Sequence, residues 1–276
     1  MGMLPKLGIV AGGGILPGFL AQTAMQQGRE VLILAIEDHA DPQVVEAFPH
    51  TWIRLGAFSN ALEQCRLNKV EEIVMAGPVS RPSLTQLRPD ARALKFLAKG
   101  VFKQGDDGLL SAIVSALETE EGFRILAIQD IAGGMLARTG VLGSHHPDDR
   151  DMADIGRGVE VLTAMGAADV GQAVVVQDGL LLGVEAIEGT DALIARAAGL
   201  RRDGRGPVLV KMPKSAQDHR VDLPTIGPAT IEACTRGGFA GVAVGSGKCL
   251  LVDEKRVVEL ADVGGMFVLG RQSGTG

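Results

Sequence analysis

A short apolar run at 6–11 stops at Gly12-Gly13-Gly14. A run of that length closed by glycine predicts a buried strand and a tight turn. Apolar positions resume around Pro17 and continue to Gly28. Proline is tolerated in a first helical turn and glycine ends helices, so this stretch predicts a helix. Further strands are predicted at 30–36, 50–55, 72–76 and 123–128. The 30–36 run is apolar almost throughout, as strands of a parallel sheet are when both faces are covered. Helices are predicted at 59–67, at 83–99 with a break at Pro89, and from Gly105-Asp106-Asp107 to about 120. Strands alternating with helices predict a doubly wound parallel sheet, so 1–132 reads as a Rossmann-like N-terminal domain.

The pattern then changes. Gly133-Gly134, Gly140, Gly143, Pro147 and a cluster of aspartates give 133–151 the composition of a linker. A second domain is predicted over 152–276, opening with a helix at 152–167. Strand runs at 173–177 and 180–186 flank Asp178-Gly179, the pair that supplies positive φ to a two-residue hairpin turn. A helix at 190–198 with Thr190 as its cap, a strand at 207–210, a long polar loop and a helix from Pro228 follow. Strands at 241–244 and 250–252, a short helix and a strand at 266–269 close the pattern. Antiparallel and crossover elements are mixed, which predicts a C-terminal mixed α/β domain.

Composition narrows the function classes. Of 276 residues, 46% are apolar and 38 are glycine, a balance that suits a tightly turned α/β protein. Aromatics are 3%, tyrosine is absent and the net charge is −6, which argues against a base-stacking or phosphate-tracking nucleic-acid partner. Cys65, Cys234 and Cys249 are an odd number at wide spacing, so a disulfide framework is not expected and a reducing cytoplasm is. The uncharged stretch 7–28 resembles a membrane span in hydropathy alone; the three glycines and Pro17 break it.

Candidate chemistry gathers at loops that follow strands. Gly12, Gly13 and Gly14 sit between a strand and a helix, where backbone N–H groups can hold phosphate. A plain tight turn is the alternative. The dinucleotide fingerprint is incomplete, because Pro17 stands where its third glycine belongs; Glu37 lies about where a ribose-binding acid would. Gly77-Pro78-Val79-Ser80-Arg81 follows another strand, which puts Gly77, Ser80 and Arg81 at the same sheet edge. Arg88, Arg92, Lys95 and Lys99 would form one basic helical stripe, either a solvated face or a contact for an anionic membrane leaflet. Asp106 and Asp107 open a helix, as caps or as the carboxylates that Mg²⁺ takes alongside substrate phosphates. Glu188, Thr190 and Asp191 link a strand to a helix and could face sugar hydroxyls or a metal. His145-His146 lacks metal-ligand spacing and reads as a solvated loop; Gly247-Lys248 lacks the rest of a phosphate loop.

The richest stretch is Lys211 to Gly227. It carries Lys211, Lys214, Arg220, Asp218, Asp222 and His219, and Pro213 and Pro224 forbid a regular helix through it. A charged loop at the end of a strand is a common seat of chemistry in α/β proteins. A solvated surface loop is the alternative.

The order of residues here, Lys211-Met-Pro-Lys214, Gln217 and Arg220-Val-Asp-Leu-Pro-Thr-Ile-Gly227, resembles the LpxI family of UDP-2,3-diacylglucosamine pyrophosphatases. Blocks at 11–17, 76–82, 105–107, 184–191 and 266–270 follow in the family's order, so the resemblance runs along nearly the whole chain. Ser215 departs from it, where the family pattern has proline. The resemblance implies hydrolysis of UDP-2,3-diacylglucosamine to UMP and 2,3-diacylglucosamine 1-phosphate, a lipid A step, with a divalent metal, Mg²⁺ first. It implies that Asp222 is the key aspartate, as metal ligand or water-orienting base, that Lys211, Lys214 and Arg220 neutralise the diphosphate, with a metal held by Asp222 adding to that, and that the glycine turn faces the uridine-diphosphate side. It implies an amphipathic lipid-linked sugar-nucleotide as substrate and a cytoplasmic protein touching the inner membrane's cytoplasmic face; a homodimer is left open. Two alternatives stand beside it: a nucleotide-dependent oxidoreductase, from the glycines and Glu37, and a non-catalytic sugar-nucleotide or lipid binding protein.

Overall fold

The structure is a computed structural model that describes residues 4–79, 87–98, 106–166, 168, 170–214 and 223–272; of 96–98 and 106–107 it describes the backbone alone. The described residues fall into two units, 4–133 and 134–272.

The first unit is built on a five-stranded parallel sheet of β1 (Leu7–Ala11), β2 (Val31–Ile36), β3 (His50–Ile53), β4 (Glu72–Ala76) and β5 (Arg124–Ile125), in the order β3-β2-β1-β4-β5. All six residues of β2 are buried, which explains its unbroken apolar run. Leu32, Leu34 and Ile36 pack with Ile73, Ile125 and helical Val114 and Leu117 in one core. The strand order reverses between β1 and β4. Loops leaving those two strands therefore face each other across the crevice where open sheets take ligands.

The fifth strand is shorter than the apolar run 123–128 predicts. It pairs only at Arg124 and Ile125, and a helix, Ile128–Ala132, begins at once. The Asp130 carboxylate accepts from the Ala127 N–H at 2.9 Å and so caps that helix, turning the run away from the sheet.

The second unit carries a six-stranded sheet ordered β6-β13-β11-β9-β7-β8. Its strands are β6 (Gly140–Leu142), β7 (Ala173–Gln177), β8 (Leu180–Val184), β9 (Val208–Lys211), β11 (Gly241–Gly245) and β13 (Phe267–Arg271). β9, β11 and β13 run parallel, whereas β6 against β13, β7 against β9 and β8 against β7 are antiparallel. β10 (Thr225–Ile226) and β12 (Leu250–Leu251) form a separate parallel pair. The sheet is the mixed α/β architecture expected. Its hairpin turn is the expected one too, with φ of +51° at Asp178 and +75° at Gly179. The buried Asp154 carboxylate accepts both turn N–H groups, at 2.9 and 2.6 Å.

Two expectations are corrected. The stretch 133–151 is not only a linker, because β6 pairs with β13 at Leu142↔Val268 and Asp149 opens the helix Asp149–Gly166. A three-residue strand that begins with one positive-φ glycine, Gly140, and is followed by another, Gly143, leaves too little apolar pattern to see. Thr190 does not cap its helix. The helix spans Gly189–Ala198 with Glu188 at the cap position, and the Thr190 hydroxyl is used elsewhere. Among the described residues no helix is long and apolar enough to cross a membrane.

Candidate functional site

In the first unit the glycine turn after β1 meets the loop after β4. The Gly12 N–H donates to Ala76 O and the Gly13 N–H to Pro78 O, both at 2.8 Å. Two N–H groups expected to hold phosphate are thus spent on joining the two loops. The glycines are needed for that approach. A Cβ at Gly12 would lie 2.5 Å from Pro78 O, and one at Gly77, where φ is +87°, would lie 2.2 Å from Gly13 O. Gly14 differs. Its φ is +74° and a Cβ there would meet nothing within 4 Å, so of the three it faces open space. Ser80 and Arg81 lie outside the described residues. Glu37 is exposed, and its backbone joins Ile53 O and the His39 ring.

In the second unit the site is organised around the end of β9. Lys211 closes that strand, is in register with Val244 of β11 and Ala173 of β7, and is only 6% exposed. Its ammonium donates to Thr190 Oγ1 at 2.8 Å and to Thr225 O at 3.1 Å. The Thr190 hydroxyl donates in turn to Glu185 Oε1 at 2.5 Å. Glu185, itself 6% exposed, takes the Gln172 N–H on its other oxygen at 3.0 Å. Burial pushes the Cys249 thiol up to about 12, with the charge of Lys211 pulling the other way. Glu185 carried no signal in the sequence, since a lone acid at a strand end is common; only the pairing reveals it.

Lys214 is half-buried, whereas Gln217, Arg220 and Asp222 lie outside the described residues, with Asp218 and His219. Glu188 is exposed and turned to Arg196 at 2.8 Å. Hydrogen bonds from its own backbone N–H and from that guanidinium hold its carboxyl below the usual range. Asp191 is exposed in the first turn of the Gly189–Ala198 helix, where a carboxylate suits the helix dipole.

Asp106 and Asp107 do open a helix, Asp106–Thr119, but their side chains lie outside the described residues. Among the described residues no group of three or more His, Cys, Asp or Glu side chains could hold a metal. The basic stripe is partly neutralised. Arg92 pairs with Glu121 at 2.5 Å, Arg66 shares the same carboxylate, and Lys99 lies outside the described residues. A cleft of about 430 Å³ beside it, lined by Phe58, Arg92, Lys95, Glu120 and Glu121, balances cations with carboxylates. The histidine pair belongs to a docked loop. Asp262 accepts from Ser144 N at 2.7 Å, and the His145 ring meets Asp262 O at 3.2 Å.

Comparison with known proteins places this geometry. Residues 6–135 match the LpxI N-terminal domain and residues 138–269 the LpxI C-terminal domain. The UDP-2,3-diacylglucosamine pyrophosphatase LpxI of Caulobacter vibrioides is 40% identical over 273 residues, 96% of this chain and 97% of that protein. Solved structures are more distant. CobK precorrin-6A reductase covers 98% of this chain and 90% of its own at 12% identity with a TM-score of 0.35. The UDP-glucose 4-epimerase of Thermus thermophilus, in complex with NAD, covers 97% and 86% at 12% identity with a TM-score of 0.30. Both lie too far away to bear on function. With the two domain matches in register along the chain and a relative of that identity at nearly full length, the chain belongs to the LpxI family.

Proposed function

We propose that the chain hydrolyses the diphosphate of UDP-2,3-diacylglucosamine with water, giving UMP and 2,3-diacylglucosamine 1-phosphate, a step of lipid A biosynthesis. The observation that carries this reading is the 40% identity, over 96% of the chain, to a protein named for acting on that substrate. Cleaving a diphosphate asks for an attacking water held in line and for neutralisation of charge on the phosphate oxygens. Asp222 is the residue we assign to orienting that water or to a metal, and Lys211, Lys214 and Arg220 supply positive charge in the same stretch of sequence. A divalent cation, Mg²⁺ first, belongs to this reading. Asp222, Asp106 and Asp107 are its proposed donors, and their hard carboxylate oxygens are the kind Mg²⁺ takes. When bound, such an ion polarises phosphoryl oxygens and offsets their charge. The sugar-nucleotide contacts we assign are Gly14, Gly77, Ser80, Arg81, Gln217, Glu188, Thr190 and Asp191, each to be tested singly; Gly12 and Gly13, whose N–H groups are taken by Ala76 O and Pro78 O, shape the turn instead. The acylated substrate also motivates contact with the cytoplasmic face of the inner membrane, to be read by co-sedimentation with anionic vesicles.

The test is UMP release from UDP-2,3-diacylglucosamine in detergent micelles, with Mg²⁺ and with EDTA, for wild type and Asp222→Asn. Release by wild type in Mg²⁺, suppressed by EDTA and lowered at least about 100-fold in the variant, is the expected result. No release by wild type under either condition overturns the reaction, whereas release that EDTA leaves unchanged overturns the metal alone.

A further inference from the structure

We infer that Glu185, acting through the Thr190 hydroxyl, is a positioning residue for Lys211, and that Lys211 in turn ties together the two ends of the charged segment 211–225. The kinetic consequence rests on the hydrolase reading above; the structural consequence does not.

A buried ammonium needs hydrogen bonds to replace those it made to water. Lys211 has them. Its Nζ donates to Thr190 Oγ1 at 2.8 Å, and the hydroxyl passes its own hydrogen to Glu185 Oε1 at 2.5 Å. An ammonium can only donate and a carboxylate only accept, so the direction of this chain is fixed: lysine to threonine to glutamate. Glu185 is held from its other side by the Gln172 N–H at 3.0 Å. The Gln172 carbonyl accepts the N–H of Met212, the residue after Lys211, also at 3.0 Å. Gly171 permits this closeness, because a Cβ there would lie 2.1 Å from Glu185 O. One carboxylate is therefore linked to the side chain of Lys211 and, through Gln172, to the backbone that follows it.

The second bond of Lys211 gives the arrangement its consequence. Thr225 O accepts from Nζ at 3.1 Å across a separation of 14 residues. This bond joins the end of β9 to the start of β10, and offsets part of the entropy of holding residues 211 and 225 together. Two of the three N–H donors of Lys211 are taken by protein groups among the described residues, so its charge is held in place rather than free to follow a ligand.

The test compares Thr190→Val, Thr190→Ser and Glu185→Gln. Steady-state UMP release is read together with hydrogen–deuterium exchange of the peptide holding Thr225 and Ile226. Thr190→Val and Glu185→Gln are expected to lower kcat about 10- to 100-fold, the scale of a small misplacement of a reacting group. In Glu185→Gln, which removes no assigned substrate contact, KM should stay within about two-fold. Thr190→Ser keeps the hydroxyl and should recover most of kcat. Exchange at Thr225–Ile226 should quicken in Thr190→Val and Glu185→Gln but not in Thr190→Ser. Wild-type kcat and exchange in Thr190→Val overturn the inference. So does a KM increase with unchanged kcat, which would make Thr190 a substrate contact alone, and so does equal loss in Thr190→Ser. Should Thr190→Val fail to fold, Glu185→Gln set against Thr190→Ser carries the same decision. Absence of UMP release in wild type would sink the hydrolase reading and leave exchange to decide this one.

Discussion

A Cβ at Gly77 would sit 2.2 Å from Gly13 O on a backbone with φ of +87°, so both space and conformation demand glycine there. Gly14, at φ of +74°, has the conformational demand alone, since nothing lies within 4 Å of its would-be Cβ. The two positions therefore separate close approach from left-handed backbone. Gly77→Ala should destabilise the protein by about 2–4 kcal/mol, overpacking added to strain. Gly14→Ala should cost only about 1–2 kcal/mol, the penalty of the left-handed conformation. Urea midpoints of the two variants check the difference, and equal shifts would mean that the loop after β4 yields freely. The residue scale also shows what the sequence could carry. A triple glycine after a strand announces a special turn, but whether its N–H groups face a ligand or a neighbouring loop depends on Ala76 and Pro78, more than sixty residues away.

At the scale of elements, one carboxylate serves two helices. Asp90 accepts from Arg92 N at 3.0 Å and Ala93 N at 2.8 Å, capping the helix Ala91–Ala98, and from Ser59 N at 2.7 Å in the first turn of Phe58–Leu67. Burial works to raise its pKa, but the N–H groups of Ala93, Ser59 and Arg92 outweigh it and hold the carboxyl below the ordinary aspartate range. A depressed folded pKa gives stability that is fully present above the unfolded value and lost as pH falls through the folded one. Asp90→Ala should thus cost about 1–2 kcal/mol near neutral pH, as a lost cap does. That difference from wild type should shrink on acidification below the ordinary aspartate pKa. Denaturation at pH 7 and pH 3 measures it; a difference that does not shrink would mean the acid form caps as well. Elements with long apolar runs, such as β2 and β4, were legible from the chain alone, as was the Asp178-Gly179 turn. β6, β10 and the helix Pro42–Val45 were not, because two to four residues carry too little periodicity to stand out from the polar segments around them. Lys211 was legible as a candidate by its charge at a strand end. Its partner Glu185 became visible only when β8 and β9 were set beside β7.

Across the whole molecule, each unit has its own core, and the cysteines divide between them. Cys65 belongs to the core of the first unit, with Leu62 and Val114; Cys234 and Cys249 share the core of the second, with Leu251 and Val257. All three are buried and free. Burial pushes the Cys65 thiol up to about 11, the nearby Arg66 pulling it down, and raises Cys234 further, helped by the charge of Asp191. The thiolate is the reactive form, so these thiols are protected twice, by lack of access and by lack of ionisation. None should react with a thiol reagent at pH 8 in the native protein. In a denaturant series, mass-resolved labelling then reports on each core separately. Cys234 and Cys249 should become reactive at one midpoint, because a single packed cluster loses both at once, while Cys65 follows the opening of the other sheet. Distinct midpoints for Cys234 and Cys249 would show that the second unit is not one cooperative core. The end of β9, whose Lys211 pulls on Cys249, would then be the place to look for the softer part.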